Sequence, residues 1–265
     1  MRKIALLLAT AALTAGALAR PAAADSEEYN KDTWPLAVVD RPILIPAGML
    51  ELRGDTVRVS LDKSSAGNPI ALAPDVFYGV ARMINVGIVH RDTGICIAGD
   101  RCAKAYNDVG LDVLYGFANK GSFQVSALGG LRVPSFDNLV AGLDLGLLFQ
   151  LSAGKVQVNL DPTLYVGVVG RTTDNPGDSA QKEQLEVPVV LTYQVQPQTA
   201  LFVRTGMTGP LSGFGNDFKV PIGVGATLAA NNRLDFGLEF LMANPAGNAH
   251  SFDERTLIGR VALRL

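Results

Sequence analysis

The stretch from Phe218 to Met242 reads FKVPIGVGATLAANNRLDFGLEFLM and alternates between two kinds of residue. Apolar side chains occupy every second position from Phe218 to Leu228 and again from Leu234 to Met242, and mostly small or polar residues lie between them. A period of two is typical of β-strands, because successive side chains of a strand point to opposite faces. Asn231-Asn232 suits a tight turn with positive φ. The stretch therefore predicts a β-hairpin with one apolar face.

The apolar face of this hairpin has two candidate partners. In a soluble sandwich it would pack against a second apolar sheet, and in an outer-membrane barrel it would face lipid. The same alternation recurs along the chain and predicts twelve strands. They are Met49–Asp62, Ile70–Tyr78, Met83–His90, Val109–Phe117, Ser122–Val133, Leu139–Leu151, Lys155–Gly170, Gln184–Val195, Thr199–Met207, the two arms of the hairpin, and Arg255–Leu265.

The connections between these strands fall into two classes. Those after even-numbered strands are short, as at Gly79–Arg82, whereas those after most odd-numbered strands are longer, as at Arg91–Asp108 and Arg171–Lys182. Bacterial outer-membrane barrels have short periplasmic turns, longer extracellular loops and an even number of strands. The pattern therefore predicts an all-β fold, a transmembrane antiparallel up-and-down β-barrel of about 12 strands with both termini on the short-turn side.

Aromatic residues support the same interpretation. Several lie on the apolar parity within a few residues of a short turn, where a membrane barrel places its periplasmic girdle. They are Tyr78, Tyr115, Phe117, Phe123, Phe149, Tyr193 and Phe236. The alternative is that these rings cap one end of a soluble core.

Two irregularities are expected in the wall. The alternation of the first strand slips near Gly54, which predicts a β-bulge there. Pro162 lies inside the seventh strand and cannot donate a ladder hydrogen bond. We expect either a bulge at Pro162 or a strand that begins after it.

The N-terminus carries a separate signal. Met1–Ala24 contains Arg2 and Lys3, an apolar run and three alanines before Asp25, which is typical of a secretory signal peptide cleaved after Ala24. Residues 25–47 then form a lead-in segment without a clear period, rich in proline. A surface-lying linker is favoured by this composition, and a plug in the lumen is the alternative. Residues 48–265 are predicted to form the barrel.

Composition excludes two classes of protein. The first 24 residues hold three of the 23 basic residues and none of the 25 acidic ones, so the mature chain carries a net charge of −5. This argues against a nucleic-acid partner, which usually requires a basic face. No apolar run of about 18 residues follows the signal, so a helical membrane protein is excluded.

The two cysteines, Cys96 and Cys102, are separated by five residues. In an exported chain this spacing predicts a disulfide that closes a short loop and stabilises it by about 2–3 kcal/mol at most. A metal site would need further Cys or His ligands nearby. We predict neither a metal nor a cofactor.

Charged residues of both signs occupy the parity that faces the lumen, and they are the candidate pore-lining residues. They are Arg58, Asp75, Asp112, Arg132, Asp144, Lys155, Asp161, Glu186, Arg204, Lys219, Asp235, Glu239 and Arg260. Because the two signs nearly balance, we expect weak ion selectivity. Numerous glycines on the same parity predict a narrow, water-filled lumen.

The predicted register pairs some of these charges across hairpins. Arg58 is expected opposite Asp75, and Arg260 near Glu239, as salt bridges that brace the wall. A second expectation concerns solute contact. Arg204 and Lys219 are expected to face each other with Glu186 as the nearest acid, and this pair is the candidate contact for an anionic solute.

An enzymatic function has one candidate residue. His90 lies on the lipid-facing parity at the loop end of the third strand, where a lipid hydrolase could place a general base. No serine partner is evident, and a histidine at the rim that faces headgroups is the simpler interpretation. The sequence has no phosphate-binding glycine loop, metal cluster or nucleophile elbow.

Three features together carry a resemblance: the signal peptide, the strand-turn-strand segment FYGVARMINVG at 77–87, and the final strand TLIGRVALRL at 256–265. The chain resembles Gram-negative outer-membrane β-barrels of the porin-like kind. In that family the last strand usually ends in Phe or Trp and is read by the barrel-assembly machinery, whereas this chain ends in Leu265.

The resemblance implies a location in the outer membrane, with lipid, lipopolysaccharide and the assembly machinery as partners. The function we predict is a passive, weakly selective pore for small solutes, not an enzyme. The first alternative is a closed structural or surface-interaction barrel without conductance. The second is an outer-membrane lipid hydrolase that uses His90.

Overall fold

The computed structural model describes residues 29–62, 70–90, 95–98, 108–118, 121–136, 139–170, 182–248 and 250–265. Fourteen strand segments, a 3-10 turn at Val38–Asp40 and one short helix, α1 (Phe214–Asp217), make up its regular structure. The strands are β1 (Leu50–Ser60), β2 (Ile70–Ala81), β3 (Ile84–His90), β4 (Ile95–Ala98), β5 (Val109–Ala118), β6 (Phe123–Ser135), β7 (Val140–Ala153), β8 (Val156–Leu160), β9 (Thr163–Val169), β10 (Glu183–Gln196), β11 (Thr199–Pro210), β12 (Ile222–Ala229), β13 (Leu234–Asn244) and β14 (Ser251–Arg264).

Two of the predictions fall outside the described residues. The signal peptide, 1–24, lies wholly before residue 29. Cys102 is also outside, and only the backbone of Cys96 is described, in β4. The disulfide and the signal peptide therefore remain predictions.

The strands close into one antiparallel barrel, because β1 pairs both with β2 and with β14. Fourteen segments make twelve wall strands. β4 continues the edge of β3 along β2, and β8 and β9 both lie between β7 and β10. The prediction of a 12-stranded antiparallel barrel is confirmed.

Both wall irregularities occur where the sequence predicts them. The pairing of β1 with β14 shifts between Leu52 and Val57, and Gly54 in this bulge has φ of +112°. At Pro162 the ladder stops and resumes at Thr163 without a change of register, since Leu160 pairs with Phe149 and Thr163 with Gly146. A new strand segment after the proline is therefore correct, and a bulge at Pro162 is not.

The first arm of the hairpin predicted from Phe218 to Met242 is shorter than expected. β12 begins at Ile222, not at Phe218, and Lys219 makes only an isolated bridge with Thr208. Pro221 explains the late start, because proline has no N–H to donate to the neighbouring strand.

The outer surface of the barrel is apolar. Leu111, Val224 and Leu238, for example, are 50%, 52% and 56% exposed. Six of the seven predicted girdle rings are also 45–59% exposed, and Tyr115 and Phe117 pack edge to face with centroids 5.2 Å apart. These rings point outward, so the alternative of aromatics capping a soluble core is wrong. An apolar band of this extent is stable when it faces hydrocarbon.

None of the described helices is long and apolar enough to cross a membrane.

The interior at the short-turn end is occupied by the chain's own N-terminal segment. Residues 29–49, which we call the plug segment, bury Trp34, Leu44, Ile45 and Met49 against inward-facing residues of the wall. The interpretation of residues 25–47 as a surface-lying linker is therefore wrong for the part described. A proline-rich extended chain can lie on the surface or inside the lumen. Here it lies in the lumen because side chains of the wall bind it there.

Candidate functional site

The plug segment is held by side-chain amides from the wall. Asn85 of β3 accepts a hydrogen bond from the Ile45 N–H at 2.8 Å and donates one to the Ile45 carbonyl at 3.0 Å. Gln194 of β10 accepts the N–H of Val38 at 2.8 Å. Each amide thus forms hydrogen bonds with the backbone of the plug segment that a neighbouring strand would otherwise form.

The same kind of contact surrounds the plug segment from several directions. Ile43 N–H donates to Gln124 at 3.0 Å, and Gln150 donates to the Arg41 carbonyl at 2.7 Å. Across these contacts six amides, which we call the amide belt, bind the segment from five wall strands and one turn. The belt consists of Asn85, Gln124, Gln150, Gln157, Gln194 and Asn232.

An ionic cluster fixes the middle of the plug segment. Arg41 makes a two-pronged contact with Asp235, at 2.8 and 2.9 Å. Asp235 also accepts from Arg264 at 2.6 Å, and Arg264 reaches Glu51 at 3.1 Å. All four side chains are at most 13% exposed. Two cations and two carboxylates therefore balance in a site that excludes most water.

A second ionic layer lies farther along β13. Glu239, which is fully buried, contacts Arg260 and lies 3.3 Å from Arg204. The predicted pairing of Arg260 with Glu239 is correct. Arg204 and Lys219 do not face each other, because Arg204 pairs with Gly223 and Lys219 with Thr208.

The environments of Arg204 and Lys219 are therefore different from those predicted. Lys219 lies 3.6 Å from Glu254. Glu186 lies 3.8 Å from Arg132, and Glu239 lies 3.3 Å from Arg204. The candidate anion contact built from Arg204 and Lys219 is wrong, because the register through the β11–β12 connection is offset from the predicted one.

The pairing of β1 with β2 differs from the predicted one. Arg58 lies opposite Ala71, and Arg53 takes the position opposite Asp75. The prediction that Arg58 faces Asp75 is therefore wrong. The ladder between β1 and β2 ends at Val59 opposite Ile70, whereas the predicted first strand runs on to Asp62, so a count from that end places every partner several residues away from its true position. The bulge adds one more residue to β1 between Asp55 and Arg58.

Acidic residues collect on the opposite wall. Asp112 and Asp144 pair with the two sides of Gly130, so that both carboxylates flank a position without a side chain. Arg132 binds Asp108 through two hydrogen bonds of 2.7 and 2.9 Å. Asp112, Asp144 and Arg132 are all buried.

Two remaining candidates differ in their placement. Asp161 lies at the break between β8 and β9, within the electrostatic reach of Arg204 and Arg53. Lys155 lies in the exposed turn between β7 and β8. Its carbonyl accepts the Gln194 N–H, and it shares the parity of Gln157, so it stands at the short-turn mouth of the barrel.

A cavity of about 310 Å³ remains between the plug segment and the wall formed by β1, β13 and β14. Its lining includes four arginines and two carboxylates. They are Arg41, Arg53, Arg260, Arg264, Glu51 and Asp235. The plug segment contributes an apolar side that contains Trp34, Pro42 and Ile43. The lumen is thus narrowed without being filled.

Charge patterning did not identify the amide belt. Its signal is nevertheless in the sequence: Gln124, Gln150 and Gln194 all lie on the inner parity within a few residues of a short turn. An amide that faces a lumen can donate and accept, which suits the backbone of an extended chain. This ring of amides favours a plug in the lumen over a surface-lying linker as the interpretation of residues 25–47.

His90 is placed as an outward-facing residue at the loop end of β3. Its Nδ1 lies 2.6 Å from the Pro74 carbonyl, and its backbone N–H donates to Asp75. The ring contact ties the histidine to the main chain of β2. In the part of the chain that the structure describes, no group of three or more His, Cys, Asp or Glu could hold a metal ion.

Comparisons with known proteins identify similar folds. No protein-family description matches the chain, and no curated protein matches it in sequence. Among solved structures, the NanC porin superposes with a TM-score of 0.59 at 11% identity, over 80% of this chain and 98% of that one. The COG4313 outer-membrane channel of Pseudomonas putida F1 gives a TM-score of 0.58 at 14% identity, over 84% of this chain and 97% of that one.

These similarities establish the fold, which is the closed barrel of porin-like outer-membrane proteins. The outward apolar band and the girdle of aromatic rings are what this fold requires in a bilayer. The chain is therefore located in the outer membrane.

Proposed function

We propose that this protein is a passive, weakly selective pore for small solutes whose short-turn mouth is narrowed by the plug segment. The observation that carries the proposal is the cavity of about 310 Å³ between the plug segment and the wall. It touches Trp34 and Asp235 near the short-turn mouth and Arg53 farther along β1. Open space with charged side chains on its wall side thus accompanies the plug segment into the barrel.

Weak selectivity follows from the way that the lumen charges are paired. Most inward-facing arginines contact a carboxylate, as Arg264 does with Asp235 and Arg132 with Asp108. A wall of paired charges presents little net field to a passing ion. The similarity in fold to a porin and an outer-membrane channel supports a transport role over an enzymatic one.

Single-channel recording in planar bilayers tests the proposal. Pure refolded full-length protein is expected to give discrete current steps, with a reversal potential near zero in a KCl gradient. The variant Arg41→Gln should loosen the plug segment and is therefore expected to raise the conductance. If neither protein gives current steps, the pore is excluded.

A closed barrel without conductance is the second candidate function. It is favoured by the dense packing of Trp34, Leu44 and Ile45 inside the wall, each at most 3% exposed. In that case the loops at the other end would carry the function. Silent bilayers with both the wild type and Arg41→Gln are the result that this candidate requires.

A further inference from the structure

Arg53 of β1 is unusual among the arginines that line the cavity. Its guanidinium carbon lies 4.0 Å from the centre of the Phe77 ring, and its only ion pair in the described residues is a long one, 3.8 Å from Glu51. Its five N–H donors make no hydrogen bond to another described residue, although Glu51 and Asp161 both interact with it electrostatically. About a third of the side chain is exposed.

The other three arginines that line the cavity already have carboxylate partners. Arg41 and Arg264 share Asp235, and Arg264 also binds Glu51. Arg260 contacts Glu239. Both carboxylates of the lining are therefore engaged by arginines other than Arg53.

A second donor in the same cavity lacks an acceptor. Trp34 is 3% exposed, and its Nε1–H has no hydrogen-bond partner among the described residues. A buried donor that is left unpaired costs about 1–3 kcal/mol, so a ligand that accepts from it gains that energy on binding. Arg53 on the wall and Trp34 on the plug segment thus line one cavity, and each has a donor without a hydrogen-bond acceptor in the described part of the chain.

The remaining surface of the cavity sets the shape of the ligand. Trp34, Val38, Pro42, Ile43 and Ile45 give the plug side an apolar character. A planar carboxylate matches the fork of an arginine through two parallel hydrogen bonds. A volume of about 310 Å³ is at the small end of ligand sites.

We propose that this cavity binds small carboxylates with an apolar body, with the carboxylate on Arg53 and the body against Trp34 and the plug segment. The inference deepens the proposed pore, and rests on it for its physiological meaning, because a solute bound here lies in the route through the barrel. Binding itself does not require conduction. The two statements can therefore fail separately.

The chain provides its own probe, because Trp34 is its only tryptophan and lines the cavity. Full-length protein refolded in detergent is titrated with hexanoate, with the neutral isostere hexanamide and with acetate. Hexanoate is expected to change the Trp34 fluorescence saturably. Hexanamide should bind at least about tenfold more weakly because it loses the charge-assisted contact, and acetate more weakly because it lacks the apolar body.

Variants locate the site. Arg53→Gln is expected to weaken hexanoate about tenfold or more, and Arg53→Lys, which keeps the charge and loses the fork, should fall between it and the wild type. Arg58→Gln is the matched control, an inward arginine of the same strand outside the cavity lining, and should leave binding unchanged.

Equal titrations by hexanoate and hexanamide in the wild type would overturn the proposal without the need for any variant. Equal binding by the wild type and Arg53→Gln would also overturn it. Bilayers without current, together with hexanoate binding that depends on Arg53, would remove the pore and keep the site. Current steps without hexanoate binding that depends on Arg53 would keep the pore and remove the site.

Discussion

Arg41 of the plug segment and Asp235 of β13 form a two-pronged ion pair, with N···O distances of 2.8 and 2.9 Å, although 193 residues separate them in sequence. The pair joins the segment that precedes the barrel to one of its last strands. Asp235 is shared with Arg264, so the carboxylate lies between two guanidinium groups. The removal of the carboxylate should therefore cost more than the removal of Arg41.

The first prediction ranks two substitutions at this pair. Asp235→Asn leaves two buried cations without their shared anion and is expected to lower the free energy of unfolding by about 3–5 kcal/mol. Arg41→Gln leaves Asp235 bound to Arg264 and should cost about 1–3 kcal/mol. Urea unfolding of the refolded protein, followed through Trp34 fluorescence, measures both.

The matched control for this ranking is Asp253→Asn. The Asp253 side chain is 61% exposed and lies 3.9 Å from Arg255, so its loss should change stability by less than about 0.5 kcal/mol. Equal effects of Asp235→Asn and Asp253→Asn would refute the role of Asp235 in holding the plug segment to the wall.

The second prediction concerns the amide belt. Asn85→Leu removes both hydrogen bonds to Ile45 and leaves its buried N–H and carbonyl unpaired, which costs about 2–4 kcal/mol for the two groups together. The plug segment should loosen, and the emission of Trp34 should shift to longer wavelength. Gln184→Ala is the control, since Gln184 bonds only Thr208 on the wall. An unshifted Trp34 spectrum in Asn85→Leu would contradict the role of the belt.

The sequence predicts the strands of the barrel wall far better than it predicts the plug segment and the charge pairs in the lumen. A period of two is a local property, so alternation identifies the strands and the outward band without any knowledge of distant contacts. The break at Pro162 is local too, because it follows from the missing N–H of the proline. The hairpin from Ile222 to Met242 is an example: its register, Ile222 opposite Met242, is fixed by a tight turn close at hand.

Charge pairs across long or irregular connections could not be predicted in the same way. Arg53, not Arg58, lies opposite Asp75, because the ladder between β1 and β2 ends at Val59, earlier than alternation predicts, and the bulge then adds one residue to β1. The occupant of the lumen was missed for another reason. Apart from Asp235, the side chains that bind the plug segment include neutral amides such as Gln124, which a search for charged pairs does not detect.

The third prediction uses two glycines of the wall. Gly54 has φ of +112°, and a Cβ there would lie 2.9 Å from the Ala73 carbonyl oxygen, so Gly54→Ala should destabilise the barrel by about 1–3 kcal/mol. Gly129 has open space around its Cβ position, and Gly129→Ala should be neutral or slightly stabilising. The folded fraction of each variant on unheated gels and the urea midpoint provide the measurement. Equal midpoints would show that the bulge does not need a glycine.

The fourth prediction tests the direction in which the apolar band faces. Leu238 lies midway along β13 and is 56% exposed on the outer surface, so Leu238→Lys should cost about 2–4 kcal/mol in a bilayer, where the lysine meets hydrocarbon. Val168→Lys, on an equally exposed residue near the loop end of β9, should cost about 0–1 kcal/mol because the side chain reaches the interface. Unfolding of both variants in lipid vesicles gives the comparison. Because a band that faced water would tolerate a lysine at either position, a Leu238→Lys variant as stable as the wild type would require a different environment for this surface.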